Sequence, residues 1–132
     1  MSWDVFLFRT DYGSMEEMPR DYRPDPLGPR DGLREAVARL FPALDARDPS
    51  WWQLSTAEWS IELNVGKAEE VDSIMLHVRG SEAVLPAVQR ICEALGTKAF
   101  DCGTGEFLDF AGDPGHGLRG WQDLLARATR GK

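Results

Sequence analysis

The fold is decided by residues 59–80, WSIELNVGKAEEVDSIMLHVRG. Apolar side chains alternate with polar ones on both sides of a polar loop at residues 66–72, and a period of two is typical of strands with one buried face. The pattern predicts a β-hairpin with an apolar face and a polar face. A helical pattern follows at residues 81–95, so we expect helices to cover the apolar face and the polar face to stay open.

The segments around this hairpin extend it into a larger sheet. Residues 2–9 predict a central strand, because apolar residues occupy both of its faces. Further short strands are predicted at residues 51–54, 98–102 and 106–110. Residues 11–30 contain four prolines and no periodicity, which predicts a long proline-rich loop.

Three amphipathic helices accompany the strands. The first spans residues 32–44, and the second follows Ser81 and stops at Gly96. The third carries an apolar stripe formed by Leu118, Trp121, Leu124, Leu125 and Ala128. The order β-α-β-β-α-β, with an extra C-terminal hairpin and helix, predicts one α+β domain over residues 1–132. We expect a ferredoxin-like split β-α-β core, whose antiparallel sheet has helices mainly on one face.

Composition limits the function. The chain has 132 residues, of which 42% are hydrophobic, and this is enough to bury a core without metal or disulfide staples. Its net charge of -7 repels nucleic-acid phosphates and anionic lipid and favours a basic partner. No apolar run approaches the ~20 residues of a membrane helix, and no cationic segment precedes an apolar core at the N-terminus. We therefore expect a cytoplasmic protein that binds neither nucleic acid nor membrane.

Three carboxylates lie around the predicted turn that follows residue 102. Asp101, Glu106 and Asp109 could hold a hard divalent cation or act as an acid and base pair. They lack calcium-loop spacing and a fourth ligand in register, so a solvated hairpin is the preferred interpretation.

The cysteines and histidines show no catalytic or zinc-binding motif. Cys92 and Cys102 lie within apolar patterns, which favours reduced, buried thiols and leaves a disulfide as the alternative. Cys102 and His77 could form a nucleophile and its base, but no nucleophile motif surrounds Cys102. His77 and His116, the two histidines, lack the spacing of a zinc site. The sequence thus predicts no catalytic residue, no metal and no cofactor.

The polar face of the sheet is the predicted binding surface. Its members are Ser60, Glu62, Asn64, Met75, His77 and Arg79, flanked by Phe6, Phe8 and Asp101. Aromatic and methionine side chains among charges are typical of a surface that binds a partner, and self-association through it is an alternative. RNA-binding domains of similar topology also use aromatic residues on this face, but they surround them with positive charge, which is absent here.

The tryptophan pair at residues 51 and 52 adds another candidate. If the segment is extended, one ring points inward and the other can anchor an interface. We take Trp52 as the candidate, with Glu62, His77, Arg79 and Asp101 as the other predicted binding residues.

The chain resembles a group of small uncharacterised bacterial proteins in three segments. These are MSWDVFLF at residues 1–8, WSIE at residues 59–62 and AFDCGTGEFLD at residues 99–109. The resemblance implies a bacterial origin and no particular activity. Size and acidity are also similar to those of immunity partners of bacterial toxins, which is an analogy of type.

These features predict a non-enzymatic protein-interaction module, of the immunity type, that neutralises a basic bacterial toxin. The alternative is a small cytoplasmic enzyme or ligand-binding protein with a pocket under residues 11–30, close to Asp101, Cys102 and His77. A monomer and a homodimer both fit the sequence.

Overall fold

The structure is a computed structural model that describes residues 2–130, with side chains described as far as residue 127. The Ala128 side chain predicted for the closing stripe therefore lies outside the described residues. The strands of the described chain are β1 (Trp3–Phe8), β2 (Gly28–Pro29), β3 (Trp51–Ser55), β4 (Trp59–Asn64), β5 (Glu70–Val71), β6 (Ile74–Gly80), β7 (Lys98–Asp101) and β8 (Glu106–Phe107). Its helices are α1 (Arg30–Leu40), α2 (Leu85–Leu95) and α3 (His116–Arg130).

Six of these strands form one sheet in the order β3-β4-β6-β1-β7-β8, and every neighbouring pair is antiparallel. The first strand lies between β6 and β7, as the apolar residues on both of its faces predict. The predicted hairpin is confirmed, because β4 pairs with β6 from Trp59 opposite Gly80 to Asn64 opposite Met75. The described chain is thus an α+β protein with an antiparallel six-stranded sheet and three helices.

One face of the sheet forms the hydrophobic core. In the hairpin, Ile61 lies opposite Val78 and Leu63 lies opposite Leu76, and all four side chains are fully buried. The alternation in the sequence produces this face, because consecutive side chains of a strand point to opposite sides of the sheet. A side chain of this size stabilises the fold by about 1.5–3 kcal/mol when it is fully buried.

The described helices lie against this core face. Leu33 and Val37, one turn apart, are the buried side chains of α1, and Val88 and Ile91 are among those of α2. Leu118 of α3 is also fully buried. All of these side chains belong to one apolar cluster with the core face of the sheet. Helix packing therefore stabilises one side of the sheet.

The C-terminal end of α2 matches the sequence prediction, whereas the α-helix begins at Leu85, after a 3-10 turn, rather than directly after Ser81. The Ser81 side chain accepts a hydrogen bond from the backbone N–H of Ala83, at the start of a short 3-10 turn, Glu82–Val84. Pro86 occupies the first turn of the α-helix, where its missing N–H breaks no helical hydrogen bond. Gly96 ends the helix with a φ of 66°, a left-handed conformation that favours glycine.

The first helix ends earlier than predicted. It stops at Leu40 rather than at residue 44. Pro42 explains the difference, because a proline disfavours the helical conformation of the residue before it, here Phe41. Phe41 and Leu44 nevertheless pack against the core from the loop that follows the helix.

The segment at residues 11–30 contains more structure than the sequence predicts. Its end forms β2, which pairs with β5 in a small second sheet. Earlier in the segment, the Tyr22 hydroxyl donates to Thr10 Oγ1 at 2.8 Å, and Lys98 Nζ donates to the carbonyl oxygen of Tyr12 at 2.7 Å. The sequence did not predict this short strand because its pairing partner, β5, lies about forty residues further along the chain.

Candidate functional site

The side of the sheet opposite the core carries the predicted binding surface, here called the open face. The buried side chains of the described helices all lie in the core on the other side. By strand register, the open face consists of Asp4, Phe6, Phe8, Trp51, Gln53, Ser55, Ser60, Glu62, Asn64, Met75, His77, Arg79, Lys98, Phe100 and Phe107.

Four ionisable residues meet near one end of the open face and are here called the charged cluster: Asp4, Glu62, His77 and Arg79. His77 lies on β6 between Asp4 of β1 and Glu62 of β4, its cross-strand neighbours. Its Nδ1 is 2.8 Å from Asp4 Oδ1, and Arg79 lies 3.4 Å from Glu62. Three of these residues were predicted binding residues, and the structure brings them together. Asp4 joins them because β1 is the neighbour of β6.

Trp51 covers one side of the charged cluster. Its ring stacks on the His77 imidazole, with the centroids 5.3 Å apart and an interplanar angle of 12°. Both side chains are only partly buried. The Trp51 ring thus covers one face of the imidazole, and 21% of the His77 side chain stays exposed.

The environment of Asp4 favours its ionised form. Partial burial is the largest single influence on the pKa of Asp4 and raises it. Hydrogen bonds from Ser2 and His77, together with the positive charges of His77 and Arg79, outweigh that effect and hold the pKa below its ordinary value. The charged cluster therefore keeps a negative charge at Asp4 well into the acidic range.

Ser2, His77 and Asp4 are the residue types of a hydrolytic triad, but their geometry differs from one. In a triad, the serine contacts the histidine nitrogen that the aspartate does not. Here Ser2 Oγ and His77 Nδ1 both approach Oδ1 of Asp4, at 2.5 and 2.8 Å, and Ser2 Oγ is 3.5 Å from that same Nδ1. The His77 nitrogen nearest Ser2 already contacts Asp4, so the three residues do not form the proton relay of a triad.

The other half of the open face is an aromatic patch formed by Phe6, Phe8, Phe100 and Phe107. Phe8 lies 5.4 Å from Phe6 and 5.7 Å from Phe107 between ring centroids. Phe8 is buried, and the other three rings are partly exposed. The sequence prediction included Phe6 and Phe8 but missed Phe100 and Phe107. Alternation within β7 could have placed Phe100, whereas Phe107 needed the pairing of β8.

The prediction of Trp52 as a binding residue was wrong. Trp52 is 0% exposed, and its Nε1 donates to the carbonyl oxygen of Pro49 at 3.0 Å. The register of β3 explains this, because Trp52 lies opposite the buried Leu63 while Trp51 lies opposite Asn64 on the open face. Trp51 is therefore the tryptophan of this pair that a partner can reach.

The prediction of Asp101 as a binding residue on the open face was also wrong. Asp101 lies opposite Val5, on the core side of the sheet, and is 3% exposed. Its Oδ2 accepts a hydrogen bond from the indole of Trp3, and its Oδ1 accepts from the backbone N–H groups of Gly103 and Thr104. A buried carboxylate needs such partners. The sequence contained a signal for this, since Asp101 is two residues from the buried Ala99.

The first turn of α3 packs directly on this carboxylate. A Cβ at Gly117 would collide with Oδ2 of Asp101, so only glycine allows the approach seen here. The start of a helix carries partial positive charge and favours a nearby anion. Asp101 thus ties together β1, the turn after β7 and α3.

A cavity lies at this end of the sheet, between the start of β1, the turn after β7 and α3; it is here called the end cavity. Its volume is about 510 Å³, and its walls include Trp3, Asp4, Cys102, Trp121 and Leu124. The Nε1 atom of Trp121 is shielded from solvent and has no acceptor among the described residues. Leaving such a donor without a partner costs about 1–3 kcal/mol.

The predicted pocket under residues 11–30 exists but is smaller. It has a volume of about 350 Å³ and is lined by residues such as Thr10, Tyr12 and Tyr22. Asp101 and Cys102, which the sequence placed beside it, line the end cavity instead. The sequence did not place Asp101 and Cys102 in the end cavity because the position of α3 depends on contacts between residues far apart in the sequence.

Both thiols are free, so no disulfide joins Cys92 and Cys102. Burial raises the pKa of Cys92 to about 11, with a smaller contribution from Glu93. Cys102 is exposed, which corrects the prediction that both thiols are buried. Partial burial and the negative charges of Asp4 and Asp101 raise the pKa of Cys102 as well. A reactive cysteine needs the opposite shift.

The described side chains form no cluster of three or more metal ligands. Of the three carboxylates near the β7–β8 turn, Asp101 is buried, and Asp109 accepts hydrogen bonds from the backbone of Ala111 and Gly112. None of the helices in the described part of the chain is long and apolar enough to span a bilayer. Comparison of the chain with protein-family models, curated proteins and solved structures gives no significant match.

Proposed function

We propose that this protein is a non-enzymatic interaction module whose open face binds a basic protein, in the manner of an immunity protein that neutralises a bacterial toxin. One observation carries the proposal: the open face combines the charged cluster with a partly exposed aromatic patch. Interface cores are enriched in aromatic residues, methionine and arginine. Phe6, Met75, Phe100 and Phe107 are partly exposed on this face, and a partner that covers them removes apolar surface from water.

Charge at the margin of the open face favours a basic partner. The segment between β4 and β6 carries Glu69, Glu70 and Asp72 against one Lys67. A groove of about 340 Å³ separates this segment from the sheet, with Phe6 and Met75 among the residues that line it. An arginine or lysine suits such a groove, because its apolar stem can lie on the rings while its charged end meets carboxylates. The net charge of -7 adds long-range attraction for a basic protein.

The chemistry of the described residues supports a binding role over a catalytic one. Ser2 and His77 share one oxygen of Asp4 rather than forming a proton relay. The thiol of Cys102 has a raised pKa and therefore little thiolate at neutral pH. These features support the non-enzymatic half of the proposal.

We also propose that the protein is cytoplasmic. We further propose that the middle of the sheet is a ferredoxin-like split β-α-β core. The order β4-β6-β1-β7 supports this, because β1 and β4 enclose β6 while β6 and β7 enclose β1. The connection from β1 to β4 contains α1, and the connection from β6 to β7 contains α2. In this topology the helices lie on one face, which leaves the other face to a partner.

The test is affinity capture of proteins from the bacterial host with two matched variants. Met75→Arg places a positive charge in the open face, and Met15→Arg makes the same change at a position that is 46% exposed and lies on the segment at residues 11–30. We expect wild type and Met15→Arg to capture the same basic protein, and Met75→Arg to bind it at least about tenfold more weakly. The measured affinity should fall as salt increases.

Two results would contradict the proposal. One is capture of the same protein by wild type and Met75→Arg with equal affinity. The other is a dimer in light scattering that Met75→Arg dissociates, because a second copy of the chain would then occupy the open face.

A further inference from the structure

We propose that the end cavity is a binding site for a small organic cation, an aromatic or aliphatic ammonium compound. The site stands apart from the proposed partner surface and shares only Asp4 with the charged cluster. Binding at one site does not require binding at the other.

The cavity has the size and the apolar walls of a small-molecule site. Its volume of about 510 Å³ lies within the usual range of about 300–1,000 Å³. Trp3, Trp121 and Leu124 form apolar walls. Leu124 is 60% exposed, so an occupant that covers it removes apolar surface from water.

The helix side of the cavity is open because glycines face it. Gly117, Gly120, Trp121 and Leu124 fall on one side of α3, since spacings of three and four residues bring helix positions together. A Cβ at Gly120 would meet no atom within 4 Å. Because Gly120 is also a lining residue, a larger side chain at this position has room to occupy the cavity.

The charges of the lining favour a cation over an anion. Asp4, Asp101 and His116 are the ionisable residues of this lining other than Cys102, and no lysine or arginine of the described chain belongs to it. Contacts to Asp4 from Ser2 and His77 involve only Oδ1, which leaves Oδ2 for a ligand. The start of α3, which would attract an anion, already faces Asp101. Partial burial raises the pKa of the Cys102 thiol, and the same two carboxylates raise it further.

The partly exposed ring of Trp121 adds a second attraction for a cation. An ammonium group within about 6 Å of an indole face is attracted by the charge distribution of the ring. Trp121 is partly exposed, and no hydrogen bond within the described chain holds its Nε1. Its indole N–H is therefore a sensitive spectroscopic reporter of occupancy.

The test follows the indole N–H signals of the full chain, labelled with ¹⁵N, during titration with phenethylammonium at pH 8. Trp3→Phe and Trp121→Phe variants assign the two signals. We expect both signals to shift along a saturating curve. Neutral phenethyl alcohol should bind about fivefold more weakly, as expected for one partly exposed ion pair, and phenylacetate should cause no shift.

Two pairs of variants separate the cavity from the rest of the surface. Gly120→Phe should fill the cavity and weaken phenethylammonium binding at least about tenfold, whereas Gly120→Ala should change the affinity by less than about twofold. Asp4→Asn should remove most of the preference for the ammonium over the alcohol. Glu62→Gln removes a carboxylate of the open face outside the cavity and should leave that preference unchanged.

The proposal is wrong if phenethylammonium moves neither indole signal, or if the alcohol and the ammonium bind equally. It is also wrong if a folded Gly120→Phe binds like wild type. Should Gly120→Phe fail to fold, Leu124→Arg provides the same test, because Leu124 is exposed and an added cation there should weaken ammonium binding. If the capture experiment finds no protein partner, the expected binding of phenethylammonium to the end cavity is unchanged.

Discussion

The indole Nε1 of Trp3 donates a hydrogen bond to Oδ2 of Asp101 at 3.1 Å, between residues 98 positions apart in the chain. Oδ1 of the same carboxylate accepts from Gly103 N at 2.7 Å and from Thr104 N at 3.2 Å. These contacts join β1 to the turn after β7 and give a buried charge its partners. The same carboxylate is also the surface on which the first turn of α3 packs.

Asp101→Asn should destabilise the fold. The new amide group brings N–H donors to a site where every neighbouring protein group is also a donor, so one hydrogen bond is lost and two donors oppose each other. We expect the free energy of unfolding in urea to fall by about 1–3 kcal/mol. The control is Asp109→Asn, at an exposed loop carboxylate whose Oδ1 accepts from two backbone N–H groups. The amide oxygen can accept both bonds there, so the change should be near zero, and equal losses at the two sites would contradict the role of Asp101.

Two glycines of α3 should respond with opposite sign to the same substitution. Gly117→Ala places a methyl group on the Asp101 carboxylate and should cost about 1–3 kcal/mol of unfolding free energy. Gly120→Ala places it in open space and should stabilise the helix by about 1 kcal/mol. Urea unfolding of both variants checks the prediction. Stabilisation by Gly117→Ala would show that α3 does not pack on Asp101.

Stability at low pH should depend on Asp4. Because its folded-state pKa lies below the ordinary value of 3.8, its ionised form contributes stability that is present above about pH 4. That contribution is lost as the pH falls through the lower, folded-state pKa. We expect wild type to be more stable than Asp4→Asn at pH 6, and the difference to shrink as the pH falls below about 4. The measurement is the unfolding free energy of both proteins across this range, and a difference that grows toward low pH would contradict it.

Stability at high pH should depend on Cys92. Burial raises its pKa from 9.0 to about 11, so between these values the folded chain keeps a proton that the unfolded chain releases. The unfolding free energy should therefore fall as the pH rises from 9 to 11, by about 3 kcal/mol for a shift of two units. Cys92→Ala should lose this part of the pH dependence while keeping the contribution of the other titrating groups. If the unfolding free energies of wild type and Cys92→Ala had the same slope against pH, the predicted role of Cys92 would be wrong.

The two thiols should differ in their reaction with iodoacetamide. Cys102 is exposed and should react in the folded protein, but more slowly than a free thiol at pH 8, because its pKa is raised. Asp4→Asn removes one of the negative charges responsible and should increase the rate. Cys92 should react only after unfolding. Labelling of Cys102 faster than a free thiol would instead indicate an activated nucleophile.

Part of the candidate site followed from the sequence and part did not. Alternation placed Glu62, His77 and Arg79 on one face, since that depends only on the period of a strand. It could not place Trp51 rather than Trp52 on that face, because the choice depends on which residue of β4 lies opposite each ring. It also could not bring Asp4 beside His77, because nothing local to either residue makes β1 the neighbour of β6.

The sequence by itself determined the local elements of this protein. The strands of the hairpin, the stop of α2 at Gly96 and the buried Ile61 and Leu76 all follow from periodicity and from residues a few positions apart.

Only the tertiary structure decided the pairing of β2 with β5, the hydrogen bond from Trp3 to Asp101 and the existence of the end cavity. Each of these depends on contacts between segments far apart in the chain. Such contacts form only when packing of the whole core compensates for the lost chain entropy, so no local pattern encodes them.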